Sequence, residues 1–158
     1  MVQPTKLFWK VAKHVLRYLR GTSQYGLWYR RIEGVKLQDF TDANWAGIPS
    51  YRKSISGGIF NLGSAAVSWY NRKGRSVALS SVEAEYMAAN QATGEAIWMR
   101  KILVGLFGQR MDPTVIYCDN QSCIKLSENL VFHDRSRHIN IRYHHLRDCV
   151  VKRIMLLL

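Results

Sequence analysis

Acidic residues are scarce in this chain. Eleven Asp and Glu stand against 23 Lys and Arg, a formal charge of +12 over 158 residues. Such an excess points to an anionic partner, with nucleic acid ahead of an anionic membrane. Cysteine is also sparse. Cys118, Cys123 and Cys149 are odd in number, form no CxxC pair and follow no leader-like segment. That pattern argues against a disulfide-stapled secreted scaffold and for a reducing, intracellular setting. No apolar run is long enough to span a bilayer, because the tail 150–158 is short and interrupted by Lys152 and Arg153. No GxSxG elbow supports a serine nucleophile. His133, His138, His144 and His145 lie near Cys149, but no finger-spaced cysteine pair and no HExxH accompanies them, so zinc is not favoured.

The length suits one domain with its own core. Residues 5–20 read as an amphipathic helix, with Leu7, Val11, Val15 and Leu19 on one side and Lys6, Lys10, Lys13 and Arg17 mostly on the other. A strand is expected over 25–32, and three antiparallel strands over 35–44, 55–62 and 65–70, with Gly63-Ser64 as a hairpin turn. Between them 48–54 reads as a loop, and 71–75 as a basic loop carrying Arg72, Lys73 and Arg75. Ser80 and Glu83 have capping-box spacing, which opens a helix running to about residue 106. A short strand at 114–118 leads into a helix at 121–129, and a last helix covers 139–151. Trp45 and Trp69 read as core residues.

Three carboxylates stand out. Asp42 lies where a strand leaves the sheet, in Thr41-Asp42-Ala43-Asn44-Trp45-Ala46-Gly47, among apolar neighbours that leave an ionised group in need of a partner or a metal. Glu85 shares a helix face with Val82 and Ala89 and should point at the sheet, whereas Glu83 serves the cap. Asp119 ends a strand before a helix, a position that suits an N-cap as well as a ligand.

The motif around Asp42, together with 52–58, Ser68-Trp69, 78–88, 117–122 and 137–144, resembles the ribonuclease H domain of Copia-type LTR retrotransposon Pol polyproteins, in order and over nearly the whole chain. The resemblance implies a ribonuclease H-like α/β fold: a mixed sheet of three antiparallel and then parallel strands, flanked by helices. It implies that residues 1–34 are the end of the reverse-transcriptase connection and 35–158 the ribonuclease H-like domain, truncated so that the last strand, the last helix and a fourth metal-binding aspartate are missing. The implied activity is two-metal hydrolysis of the RNA strand of an RNA–DNA hybrid, with Asp42, Glu85 and Asp119 as catalytic metal ligands. Mg2+, with Mn2+ as a substitute, fits such hard oxygen donors. Arg72, Lys73, Arg75, Arg135, Arg137 and Arg142 would follow the phosphates. The implied partners are the hybrid and an upstream reverse transcriptase, with no membrane and no small-molecule cofactor. The expected setting is the cytoplasm, in a virus-like particle, or the nucleus. The alternative is a catalytically impaired remnant that only binds nucleic acid.

Overall fold

Alternating burial along 37–43 builds the longest strand, β1 (Leu37–Ile48), with Leu37, Asp39 and Thr41 buried and Phe40 and Asp42 exposed. The structure, a computed structural model, describes residues 5–31, 34, 36–48, 52–108, 110–128 and 145–158. β1 pairs antiparallel with β2 (Lys53–Leu62), which pairs antiparallel with β3 (Ala65–Lys73) across the Gly63-Ser64 turn. Gly63 has φ +65°, a left-handed conformation that glycine adopts without a Cβ clash. On its other side β1 pairs parallel with β4 (Thr114–Tyr117), which pairs parallel with β5 (Met155–Leu157). The sheet order is β3-β2-β1-β4-β5.

The expected fold class therefore stands, but the last strand is not missing. Met155 and Leu157 are buried while Leu156 is exposed, so what reads as an apolar tail has the two-residue period of a strand. Register with Thr114, Val115 and Ile116 gives it a partner.

One face of the sheet is covered by α2 (Ser81–Phe107), which packs on β1 and β2. Its buried side is dominated by alanines, Ala84, Ala88, Ala89, Ala92 and Ala96, whose small size lets the helix approach the strands closely. Phe60, Tyr86, Ile116, Leu146 and Met155 fill the core beneath it. Ser80 caps α2: its hydroxyl accepts the Glu83 N–H at 3.2 Å, and the Glu83 carboxylate accepts the Leu79 N–H at 2.7 Å. Ser80→Ala is expected to cost about 1 kcal/mol, read as a modest fall in melting temperature. An unchanged melt would mean that Glu83 alone holds this end. Two shorter helices, α3 (Gln121–Glu128) and α4 (His145–Val151), pack against α2 and each other. The expected helix over 139–151 is seen from His145 onward; 139–144 lie outside the described residues.

The opposite face carries an aligned apolar rung. Trp69, Ile59, Phe40 and Tyr117 are cross-strand neighbours on β3, β2, β1 and β4, and Phe40 stacks on Tyr117 with centroids 4.7 Å apart. Trp69 is 67% exposed and so is not a core residue: it projects from the face away from α2. Trp45 is half-exposed, held by its indole N–H donating to the Ala78 carbonyl at 3.1 Å.

Residues 25–31 form no strand. The Tyr29 hydroxyl donates to the Ala66 carbonyl at 2.6 Å and the Arg30 N–H to the Ser64 hydroxyl at 2.9 Å, so this segment is tied to the hairpin without a ladder. Arg72 and Lys73 belong to β3 rather than a loop, because they pair with Ser56 and Ile55. α1 (Lys6–Gly21) buries none of its residues, and Leu7, Val11, Val15, Leu16 and Leu19 are exposed. No helix among the described residues is long and apolar enough to cross a membrane.

Candidate metal centre

Where β1 and β4 run side by side, the register Phe40–Tyr117 carries both chains forward to Asp42 and Asp119. Parallel pairing thus brings two carboxylates that are 77 positions apart to the same end of the sheet. α2 supplies the third group. Glu85 is 6% exposed and its Oε1 accepts the Ala43 backbone N–H at 3.1 Å, so the side chain lies over β1 beside Asp42.

Ligand atoms of Glu85, Asp119 and Cys118 all lie within 4.8 Å of one another. Asp42 is exposed and falls outside that trio, yet it is close enough for its charge to act on Glu85. Burial pushes the Glu85 pKa up to about 7; the Ala43 N–H opposes this, and the charges of Asp42 and Asp119 reinforce it. Crowded carboxylates of this kind are stabilised by a cation, and their hard oxygens suit a divalent ion such as magnesium.

Asp119 is not the N-cap of α3. Asn120 takes that role, its Oδ1 accepting the Cys123 N–H at 3.0 Å. Cys118 lies in the same cluster. It continues the inward alternation of Thr114 and Ile116, and its Sγ stands 4.0 Å from Glu85 Oε2. That two-residue period was the available signal. The neighbouring Cys123 thiol draws the Cys118 pKa down, against burial, and the Cys123 thiol is itself pushed up.

The basic residues divide. Arg72, Lys73 and Arg75 are exposed at the end of β3, lining a cleft of about 230 Å³ with Asn90 and Gln91 of α2. Arg72 is already paired with Glu95 at 2.6 Å. Arg135, Arg137 and Arg142 lie outside the described residues, as do His133, His138 and His144. His145 is described, with Nδ1 3.3 Å from Cys149 Sγ and no carboxylate group gathered around it for zinc among the described residues.

A mixed five-stranded sheet in this order, with an acidic cluster at the shared end of β1 and β4, defines a ribonuclease H-like domain. The solved LC11-RNase H1, isolated from compost by a metagenomic approach, superposes with a TM-score of 0.56 at 12% identity, covering 78% of this chain and 82% of that one. At that identity the likeness concerns the fold alone. In sequence the chain is 42% identical over 147 residues to the retrovirus-related Pol polyprotein from transposon TNT 1-94 of Nicotiana tabacum, covering 93% of this chain and 11% of that protein. It is 39% identical over 150 residues to the corresponding polyprotein from transposon RE2 of Arabidopsis thaliana, covering 95% of this chain and 10% of that protein. In sequence the chain is thus related to one segment of the Pol polyproteins of Copia-type retrotransposons, and its fold is that of ribonuclease H domains. It spans about a tenth of the length of these relatives. No family model matches the sequence.

Proposed function

We propose that this chain hydrolyses the RNA strand of RNA–DNA hybrids using two divalent ions, Mg2+ or in its place Mn2+, held by Asp42, Glu85 and Asp119. The convergence of these carboxylates at the shared end of β1 and β4, in a ribonuclease H-like fold, is the observation that carries this reading. Bound there, the ions supply a water made nucleophilic at neutral pH and neutralise charge on the leaving oxygen.

The chain's own groups set the stage. The Ala43 N–H fixes one Glu85 oxygen and leaves the other near the Cys118 thiol. Asn120 takes the helix cap and so releases Asp119 from that duty. Asp42 on β1 and Asp119 after β4 are exposed, so both stand open to solvent at the mouth of the cluster. Lys73 and Arg75, with Arg72 and with Arg135, Arg137 and Arg142, are proposed to follow the backbone, and contacts to 2′-hydroxyls to select the RNA strand. Residues 1–34 are proposed as the join to an upstream reverse transcriptase, which agrees with the exposed apolar side of α1 and with the polyprotein relatives. The domain proper is then 35–158.

A second reading, binding without cleavage, draws on the position of Asp42 outside the closest trio. A labelled RNA–DNA hybrid incubated with the protein in Mg2+ distinguishes them. The expected result is a cut RNA strand, an intact DNA strand and binding that weakens with added salt. An intact hybrid in both Mg2+ and Mn2+, with salt-sensitive binding, would leave the second reading standing. Absence of both binding and cleavage would overturn both.

A further inference from the structure

A thiol stands among the clustered carboxylates. Cys118 is 7% exposed, its Sγ lies 4.0 Å from Glu85 Oε2, and it shares the 4.8 Å cluster with Glu85 and Asp119. Magnesium has no use for sulfur, whereas zinc and cadmium bind thiolate together with carboxylate oxygen. With metal–sulfur distances of about 2.3 Å and metal–oxygen distances of about 2.0–2.2 Å, ligand atoms on one tetrahedral ion stand roughly 3.5 Å apart. The observed separations, up to 4.8 Å, exceed that spacing by about 1.3 Å at most, so closing the trio onto one ion asks only for a small side-chain adjustment.

We propose that Cys118, Glu85 and Asp119 form a mixed thiolate–carboxylate site for a thiophilic divalent cation, zinc or cadmium, which competes with the hard ion of the hydrolytic reaction. The competition rests on the hydrolytic reading above; the binding itself does not. On coordination the Cys118 S–H bond breaks, the sulfur lone pair goes to the metal and the proton to the buffer, with no change of oxidation state. Cys123 is fully buried beside Cys118 and lies outside the trio, so it serves as the control thiol. Solvent reaches the site from the side of the exposed Asp119.

Cadmium titration followed by its thiolate charge-transfer absorption tests this directly. The intact chain is expected to develop the band to one equivalent. Cys118→Ser should abolish it, Cys123→Ser should keep it, and Glu85→Gln should weaken cadmium binding by roughly 10-fold or more. Circular dichroism of each variant checks that the fold is retained, and Cys118→Ala replaces Cys118→Ser if the serine variant fails to fold. Absence of the band in the intact chain, or its persistence without the Cys118 thiol, overturns the proposal. Hybrid cleavage in Mg2+ is measured on the same samples. Cleavage without a cadmium band sinks the thiol site and spares the hydrolytic reading. A band without cleavage sinks the hydrolytic reading and spares the binding site. With both present, and each protein measured against its own rate without zinc, the intact chain should be inhibited at lower zinc concentrations than Cys118→Ser, and equal inhibition of the two would remove the competition.

Discussion

Asp39→Asn is expected to stabilise the protein by about 2–4 kcal/mol at pH 8 and to change it little near pH 4. Asp39 is fully buried on β1, between Phe60 of β2 and Ile116 of β4. Among the described residues, no hydrogen bond of normal geometry reaches either of its carboxylate oxygens. Burial pushes its pKa from 3.8 up to about 7, with the adjacent Phe40 N–H pulling weakly the other way. A carboxyl with a raised folded-state pKa favours the fold while it is protonated. Its contribution is complete below the unfolded pKa near 4 and is lost as pH rises through 7. The rise from 3.8 to about 7 corresponds to about 4 kcal/mol between the two ends of that window. Asparagine keeps the shape, removes the charge and retains some cost of a buried amide, hence the lower end of the range. Urea denaturation at pH 4 and pH 8 reads the effect. Equal stability of the two proteins at pH 8 would show that the carboxylate is not ionised in an apolar site at all. Glu85 shifts in the same direction, so the intact protein should lose stability across the same window and Asp39→Asn should lose less.

Glu85→Gln and Asp42→Asn are each expected to lower hybrid cleavage in Mg2+ by on the order of 100-fold or more, since a ligand to a reacting metal supplies several kcal/mol of charge stabilisation. Glutamine can still accept the Ala43 N–H, so the helix stays on the sheet and the loss reads as chemistry. Substitution at Glu85 should also change the pH profile. With a pKa of about 7, Glu85 carries a proton in slightly acidic solution, and an incoming cation must displace it. Apparent affinity for Mg2+ should therefore fall as pH drops below 7, by up to about tenfold per unit, with proton release measurable by calorimetry in buffers of different ionisation heat. Asp42→Asn removes a like charge that raises the Glu85 pKa, so it should move that fall to lower pH. Cleavage that survives both substitutions would take the reaction away from this cluster.

Local pattern carried much of the fold into view. Ser80 and Glu83 marked the start of α2, and the Gly63-Ser64 turn marked the hairpin, because caps and tight turns depend on residues only a few positions apart. The final strand escaped, since three residues at an edge have too few alternations to separate from an apolar tail until β4 supplies the register. Trp69 departs from its expected core placement for a related reason. Burial of a strand residue depends on which face is covered, and the pairing of β3 with β2 turns Trp69 to the uncovered side.

By itself the sequence determined the basic character of the chain, the order of most elements, and the inward placement of Glu85, all of which follow from composition and short-range periodicity. Tertiary structure alone decided two things: that Cys118 faces Glu85, and that Asp39 is sealed beneath α2. Each depends on parallel pairing between β1 and β4 and on the helix laid across them. Those long-range contacts set distances and dielectric surroundings that no local pattern of residues encodes.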